Sequence, residues 1–234
     1  MNKRTLGSEG LMTSELGFGC MGLNHHRGPV KDRNEMMKVV QHAFDAGVTM
    51  FDTAEVYGPY TNEELVGEAI QTFRKEIQLA TKGGFNINGN SYYPDINKET
   101  LRNSLEGSLK RLGTDYIDLY YIHRVDPNIP IEEVAQAMQE FKKEGKILHW
   151  GLSEASAETI RRAHHVEPLA AVQSEYSIWW RELEKEVIPT LEELKIGLVA
   201  YSPLGRGFLT GKLIRDAIAS ENDNRAELPR FTEE

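Results

Sequence analysis

Short apolar runs of β type alternate along this chain with segments of helical period. Residues 3–6 and 11–15, around Gly7-Ser8-Glu9-Gly10, read as a hairpin with a glycine-rich turn. Strand-like runs then follow at 16–20, 49–53, 77–81, 117–123, 149–153, 171–174 and 197–201. Their starts lie about 30 residues apart, the length of a βα unit.

The intervals carry helix signals. Asp32 precedes an amphipathic run that ends at Ala46-Gly47. Asn62 opens a second, with Leu65, Val66, Ala69 and Ile70 on one face. A third runs from Asn97 to Leu112-Gly113, with Leu101, Leu105, Leu109 and Leu112 at helical spacing. Residues 131–144, 156–165 and 182–195 complete the set. No linker or break in composition interrupts the alternation, so residues 1–234 read as one domain.

Seven strands alternating with helices fit a doubly wound sheet or a TIM-type (β/α)8 barrel, both of the α/β class. Two features favour the barrel. An opening hairpin plugs a barrel floor but is idle on an open sheet. Polar residues also stand at the C-terminal ends of several strands, where barrels carry their chemistry, rather than at one switch point. After Tyr201 only 33 residues remain, and they are polar and helix- or coil-like from Arg215 onward. A barrel of this kind needs about 250 residues. The expectation is a barrel lacking its eighth strand and C-terminal helices.

Charge and composition narrow the function. Lys plus Arg is 27 against 36 Asp plus Glu, a net charge of −9, which disfavours nucleic acid and anionic membranes as partners. No apolar run approaches the ~18 residues of a membrane span, and the N-terminus has no signal-peptide pattern. The single cysteine, Cys20, fits a reducing cytoplasm. Seven histidines show no metal-ligand spacing, so no metal site is expected; His25-His26 and His164-His165 read as solvated pairs.

Four residues end or follow successive strands: Asp52, Tyr57, Lys82 and His123. On a barrel they converge at one rim. Together they suit proton donation to a carbonyl oxygen. A tyrosine is a weak acid, with an ordinary pKa of about 10, and a neighbouring ammonium lowers it. Lys82 supplies the ammonium, Asp52 keeps it charged and in place, and His123 orients the substrate oxygen. Taken singly, each has a plainer reading as a cap, a rim residue or a solvated charge.

The motifs that hold these residues are Phe51-Asp52-Thr53-Ala54-Glu55-Val56-Tyr57-Gly58, Ala80-Thr81-Lys82, residues 115–123 (Asp-Tyr-Ile-Asp-Leu-Tyr-Tyr-Ile-His) and Gly151-Leu152-Ser153. In this order they resemble the aldo-keto reductase family, from Arg4 to about Phe231. Residues 121–127 (Tyr-Ile-His-Arg-Val-Asp-Pro) and Gly-Leu-Ser-Glu-Ala resemble its bacterial and plant branch of pyridoxal-reductase-like and general aldehyde reductases. The resemblance implies an NAD(P)H-dependent enzyme reducing aldehydes or ketones to alcohols. NADPH is the expected cofactor, NADH the other possibility, and a small carbonyl compound the substrate. It implies a catalytic tetrad of Asp52, Tyr57, Lys82 and His123, with Tyr57 as proton donor. It assigns Ser153 and Gln173 to the nicotinamide carboxamide and Tyr201 to stacking on the ring. Ser202, Leu204, Gly205 and Arg206 match the loop that follows the pyrophosphate, and a guanidinium in a glycine-containing loop is a reasonable anion site. Glu154 departs from the asparagine of many members. Family members also continue for roughly 80–100 residues through an eighth strand and the adenosine contacts. The rival reading is therefore a truncated relative that holds no cofactor and serves as an inactive fragment or a binding or regulatory module. The oligomeric state is left open.

Three further stretches have two readings. Gly17-Phe18-Gly19-Cys20-Met21-Gly22 fits a dinucleotide motif but is followed by a loop instead of a helix, so it reads as a tight strand exit. Trp179, Trp180 and Arg181 either line an apolar pocket or start a helix. Residues 86–93 read as a polar, aromatic loop that either walls the pocket or is merely mobile.

Overall fold

A computed structural model describes residues 1–24, 31–89 and 91–211, together with Asp223, Arg225 and Phe231. The hairpin comes first, β1 (Lys3–Leu6) and β2 (Leu11–Ser14), followed by β3 (Gly17–Gly19) and a 3-10 turn at Cys20–Leu23. The chain continues through α1 (Arg33–Asp45), β4 (Met50–Asp52), α2 (Thr61–Ile70), β5 (Gln78–Gly83), β6 (Phe85–Asn88) and β7 (Ser91–Pro94). Then come α3 (Lys98–Leu112), β8 (Ile117–Ile122), α4 (Ile131–Lys143), β9 (Ile147–Ser153), α5 (Ala157–Val166), β10 (Ala171–Glu175), α6 (Val187–Leu194) and β11 (Gly197–Tyr201).

The helix starts and stops read from the sequence are real caps. Asp32 accepts from the Glu35 N–H, Asn97 from Thr100 and Ser156 from Thr159. Gly113 closes α3 in the left-handed region, which glycine enters without a Cβ clash.

Seven strands form one parallel sheet in the order β11-β10-β9-β8-β5-β4-β3. Apart from the excursion at β6 and β7, this is chain order, as a barrel requires and a doubly wound sheet does not. Side chains alternate across it. On β8, Leu119 and Tyr121 face an inner cluster with Met50, Ala80 and Ala171, whereas Tyr120 and Ile122 face the large core beneath the helices. The hairpin closes the inner cluster, with Leu6 and Leu11 packed into it. Gly197 lies so close that a Cβ there would meet Leu6 at 2.6 Å. This is the expected floor plug of a TIM-type α/β barrel, seen here with seven strands among the described residues.

Residues 86–93 depart from the loop reading. Residues 86–88 and 91–93 belong to the antiparallel hairpin β6–β7, in which Asn86 pairs with Tyr93 and Ile87 with Tyr92. Phe85, Ile87, Tyr92 and Tyr93 carry β propensity that the neighbouring asparagines and glycines obscure in one dimension. The helix expected over 182–195 is split into a 3-10 turn at Glu182–Glu184 and α6. The expectations for His25-His26 and most of the polar stretch after Arg215 lie outside the described residues.

Candidate active site

The inner face of the sheet carries the candidate chemistry. Asp52 stands two residues beyond inward-facing Met50, Lys82 two beyond Ala80, and His123 two beyond Tyr121. Ser153, Gln173 and Tyr201 hold the equivalent places on β9, β10 and β11, and the strand register pairs Ser153 with Gln173. Backbone bonds extend the ladder past the strand ends: Thr53 N–H to the Ala80 carbonyl at 2.9 Å, Glu55 to Lys82 at 3.1 Å and His123 to Gly83 at 3.0 Å.

Lys82 is 1% exposed. Its ammonium forms a very short ion pair with Asp52 and donates to the Thr53 carbonyl at 2.9 Å. Burial favours the neutral amine, but the Asp52 carboxylate and the Tyr57 hydroxyl outweigh it, and the Lys82 pKa is raised. The ammonium lies 5.3 Å from the centre of the Tyr57 ring, and the two side chains are hydrogen-bonded. Tyr57 meets His123 edge to face, at 5.8 Å between ring centres and 85° between planes. The four residues of the expected tetrad therefore converge.

The sequence reading has Lys82 lower the Tyr57 pKa, and Lys82 does pull it down. Burial of the phenol dominates, and the value is raised despite the pull of Lys82 and Arg124. Tyr57 is a protonated phenol at neutral pH, the state a proton donor requires.

The residues assigned to a nicotinamide lie on the adjoining strands. Gln173 donates to the second oxygen of Asp52 at 2.8 Å, tying β10 to the tetrad. Its side-chain carbonyl is left as an acceptor. Ser153 accepts from Arg124 at 3.1 Å. The Tyr201 hydroxyl bonds to Glu154, which, with burial as the larger cause, pushes its pKa up. Glu154 also accepts from the Glu175 N–H at 2.9 Å, so the departure from asparagine has a local role. Ser202, Leu204, Gly205 and Arg206 form a tight turn after β11, where Gly205 N–H bonds the Ser202 carbonyl at 2.8 Å. Ser202 and Arg206 both have left-handed φ, 51° and 58°, as does Glu154 at 55°. Such strain in non-glycine residues gathers where ligands are held.

Two contributors escaped the sequence reading. Glu55, between Asp52 and Tyr57, is 2% exposed and accepts from the Phe85 N–H and the Ser104 hydroxyl, both at 3.1 Å. It joins the Tyr57 loop to β6, whose Phe85 packs edge-on against His123 at 5.1 Å. Burial raises its pKa to about 7. The other is Arg124, which donates to the His123 carbonyl at 2.6 Å as well as to Ser153. Its place directly after His123 was the available signal.

The remaining candidates lie outside the tetrad. Cys20 is buried, and burial raises its thiol pKa far above the range of a nucleophile. Trp179 and Trp180 are exposed, and Trp179 packs on Phe208 at 5.2 Å. Among the described residues no group of His, Cys, Asp or Glu is placed to hold a metal, and no helix is long and apolar enough to cross a membrane.

Comparison with known proteins identifies the family. The chain is 46% identical to a probable aldo-keto reductase 1 of Glycine max over 98% of its own length. It spans 66% of the length of that relative. An aldo-keto reductase from Bacillus halodurans, solved in its holo form, superposes with a TM-score of 0.84 at 33% identity, covering 92% of this chain and 70% of that one. A glycerol dehydrogenase from Gluconobacter oxydans gives 0.88 at 31% identity, covering 99% of this chain and 72% of that one. The profile of the aldo/keto reductase family matches residues 15–233, which contain every strand of the parallel sheet and all four converging residues, and the chain belongs to that family.

Proposed function

We propose that this chain reduces small aldehydes and ketones to alcohols with NADPH, NADH being the other possible donor, and that Tyr57 is the general acid. The convergence of a protonated Tyr57 with an ionised Lys82–Asp52 pair and His123 carries the reading. The reduced nicotinamide supplies a hydride to the carbonyl carbon when it is bound.

The residues present fit that group. The Ser153 hydroxyl and the Gln173 carbonyl offer the donor and acceptor that a carboxamide needs, on paired positions of neighbouring strands. Tyr201 places an aromatic face at the end of β11. Arg206 meets no carboxylate among the described residues and is available to a phosphate.

The protein's own part is proton transfer and positioning. The Tyr57 hydroxyl gives its proton to the carbonyl oxygen as charge develops there. The Lys82 ammonium stabilises the phenolate that results. Asp52 holds the ammonium, and Gln173 holds Asp52. The His123 ring stands beside Tyr57 and hydrogen-bonds the substrate oxygen. The buried lysine and the tight ring of aromatic groups limit water around the proton being moved. The one buried cysteine fits a cytoplasmic setting.

The open edges of the described sheet favour a second reading, a relative that binds no cofactor and acts as a binding or regulatory module. Titration with NADPH followed by tryptophan fluorescence tests the two. Saturable micromolar binding with turnover of simple aldehydes supports the reductase. A folded chain that binds no nucleotide supports the module.

A further inference from the structure

Almost every described arginine meets a carboxylate. Arg33 pairs with Glu68, Arg102 with Glu144 and Arg162 with Glu132, and the pattern extends to the partly buried Arg74 and Arg111. Among the described residues the exceptions are Arg124 and Arg206. Both stand at the C-terminal ends of strands, on the side where the tetrad lies. Arg206 is accounted for by the cofactor reading, and Arg124 is not.

Arg124 is half-buried, and its hydrogen bonds among the described residues run from one nitrogen, Nη1, to two neutral acceptors, the His123 carbonyl and the Ser153 hydroxyl. These bonds fix the guanidinium without neutralising it. Two acids of the site have other partners, Asp52 in Lys82 and Gln173, and Glu154 in the Glu175 N–H and Tyr201. Arg124 acts electrostatically on both Tyr57 and Tyr201, so its charge is felt on both sides of the reacting centre. In a chain of net charge −9, a pre-positioned cation beside the acid that meets no carboxylate among the described residues is a site for an anion.

Resting on the reductase reading, we propose that Arg124 is a substrate-specificity residue that binds an anionic substituent, so that the preferred substrates are aldehydes or ketones bearing a carboxylate or phosphate. The free Nε and Nη2 edge of the guanidinium matches the two oxygens of a carboxylate. The same contact disfavours neutral and cationic carbonyl compounds of equal size, because their binding leaves the cation uncompensated.

The test is binding first and turnover second. Calorimetric titration of the full chain with benzoate and with benzamide compares an anion with its neutral isostere. Benzoate is expected to bind at least about tenfold tighter, a factor worth ~1.4 kcal/mol. Arg124→Met removes that preference and Arg124→Lys keeps part of it, with circular dichroism showing that both variants fold. Equal affinities, no binding of either compound, or a preference that Arg124→Met leaves intact overturns the proposal. Turnover of benzaldehyde and 4-carboxybenzaldehyde with NADPH and NADH then separates the two readings. Benzoate selectivity through Arg124 without any turnover removes the reductase assignment and leaves the anion site standing. Turnover without carboxylate selectivity does the opposite.

Discussion

The Lys82 ammonium lies 5.3 Å from the centre of the Tyr57 ring, while its charge is matched by Asp52 on the neighbouring strand. This keeps a full positive charge beside a phenol that burial holds protonated. Replacing Tyr57 with Phe removes the proton and little else. We expect Tyr57→Phe to lower kcat by about 10²–10⁴, the range of general acid catalysis, with the NADPH dissociation constant within a few-fold of wild type. Steady-state kinetics and fluorescence titration check it; retained carbonyl reduction overturns the role of Tyr57. Because the Tyr57 pKa is raised, reduction should also stay flat through neutral pH and fall only above the ordinary tyrosine value of about 10.

Lys82→Met should unfold the protein more easily as well as inactivate it. The change strands the Asp52 carboxylate in a largely buried place, a loss of about 3–5 kcal/mol for a broken buried pair. The double variant Asp52→Asn with Lys82→Met should recover much of that stability and none of the activity. Denaturant melts on the three proteins measure the recovery, and a double variant no more stable than Lys82→Met disproves the pairing account.

Glu55 makes stability depend on pH in a definite direction. Its folded pKa of about 7 lies above its unfolded value of about 4.3, so the folded state binds the extra proton between them. Stability contributed by this group is complete below about pH 4.3 and is lost as the pH rises towards 7. Glu55→Gln keeps an acceptor for Phe85 and Ser104 but cannot titrate. The difference in unfolding free energy between variant and wild type should grow in favour of the variant from pH 5 to 8. A constant difference across that range excludes the shift.

Gly83 follows Lys82 with no room to spare. A Cβ there would lie 1.9 Å from the Tyr120 hydroxyl. We expect Gly83→Ala to cost about 1–3 kcal/mol by overpacking, and to disturb Lys82 on the same strand. The Tyr120 hydroxyl is buried without a hydrogen-bond partner among the described residues, so Tyr120→Phe should be neutral or stabilising. Added to Gly83→Ala, it should restore part of the loss. Thermal melts of the three variants decide the matter.

Much of this was legible in one dimension. Caps at Asp32, Asn97 and Ser156, the leucine ladder of α3 and the even spacing of strands are local signals, and each appears where it was expected. The Asp52, Lys82 and His123 positions were legible for the same reason, since each ends a strand whose period of two sets the face it occupies. The hairpin β6–β7 was missed because its asparagines and glycines mimic a loop, and its pairing, not its composition, makes it a sheet.

Which residues stand at strand ends, and so much of the available chemistry, followed from local pattern: a carboxylate, a lysine and an imidazole, with a tyrosine in the loop after the first of them. Tertiary structure decided their states. Burial turns Tyr57 from a phenol expected to ionise more readily than usual into one held protonated, and brings Glu55 into range of neutral pH. Among the described residues it also leaves Arg124 without the carboxylate that most of its counterparts have. These outcomes depend on desolvation and on distances between strands far apart in sequence, and neither quantity is written in the order of the residues.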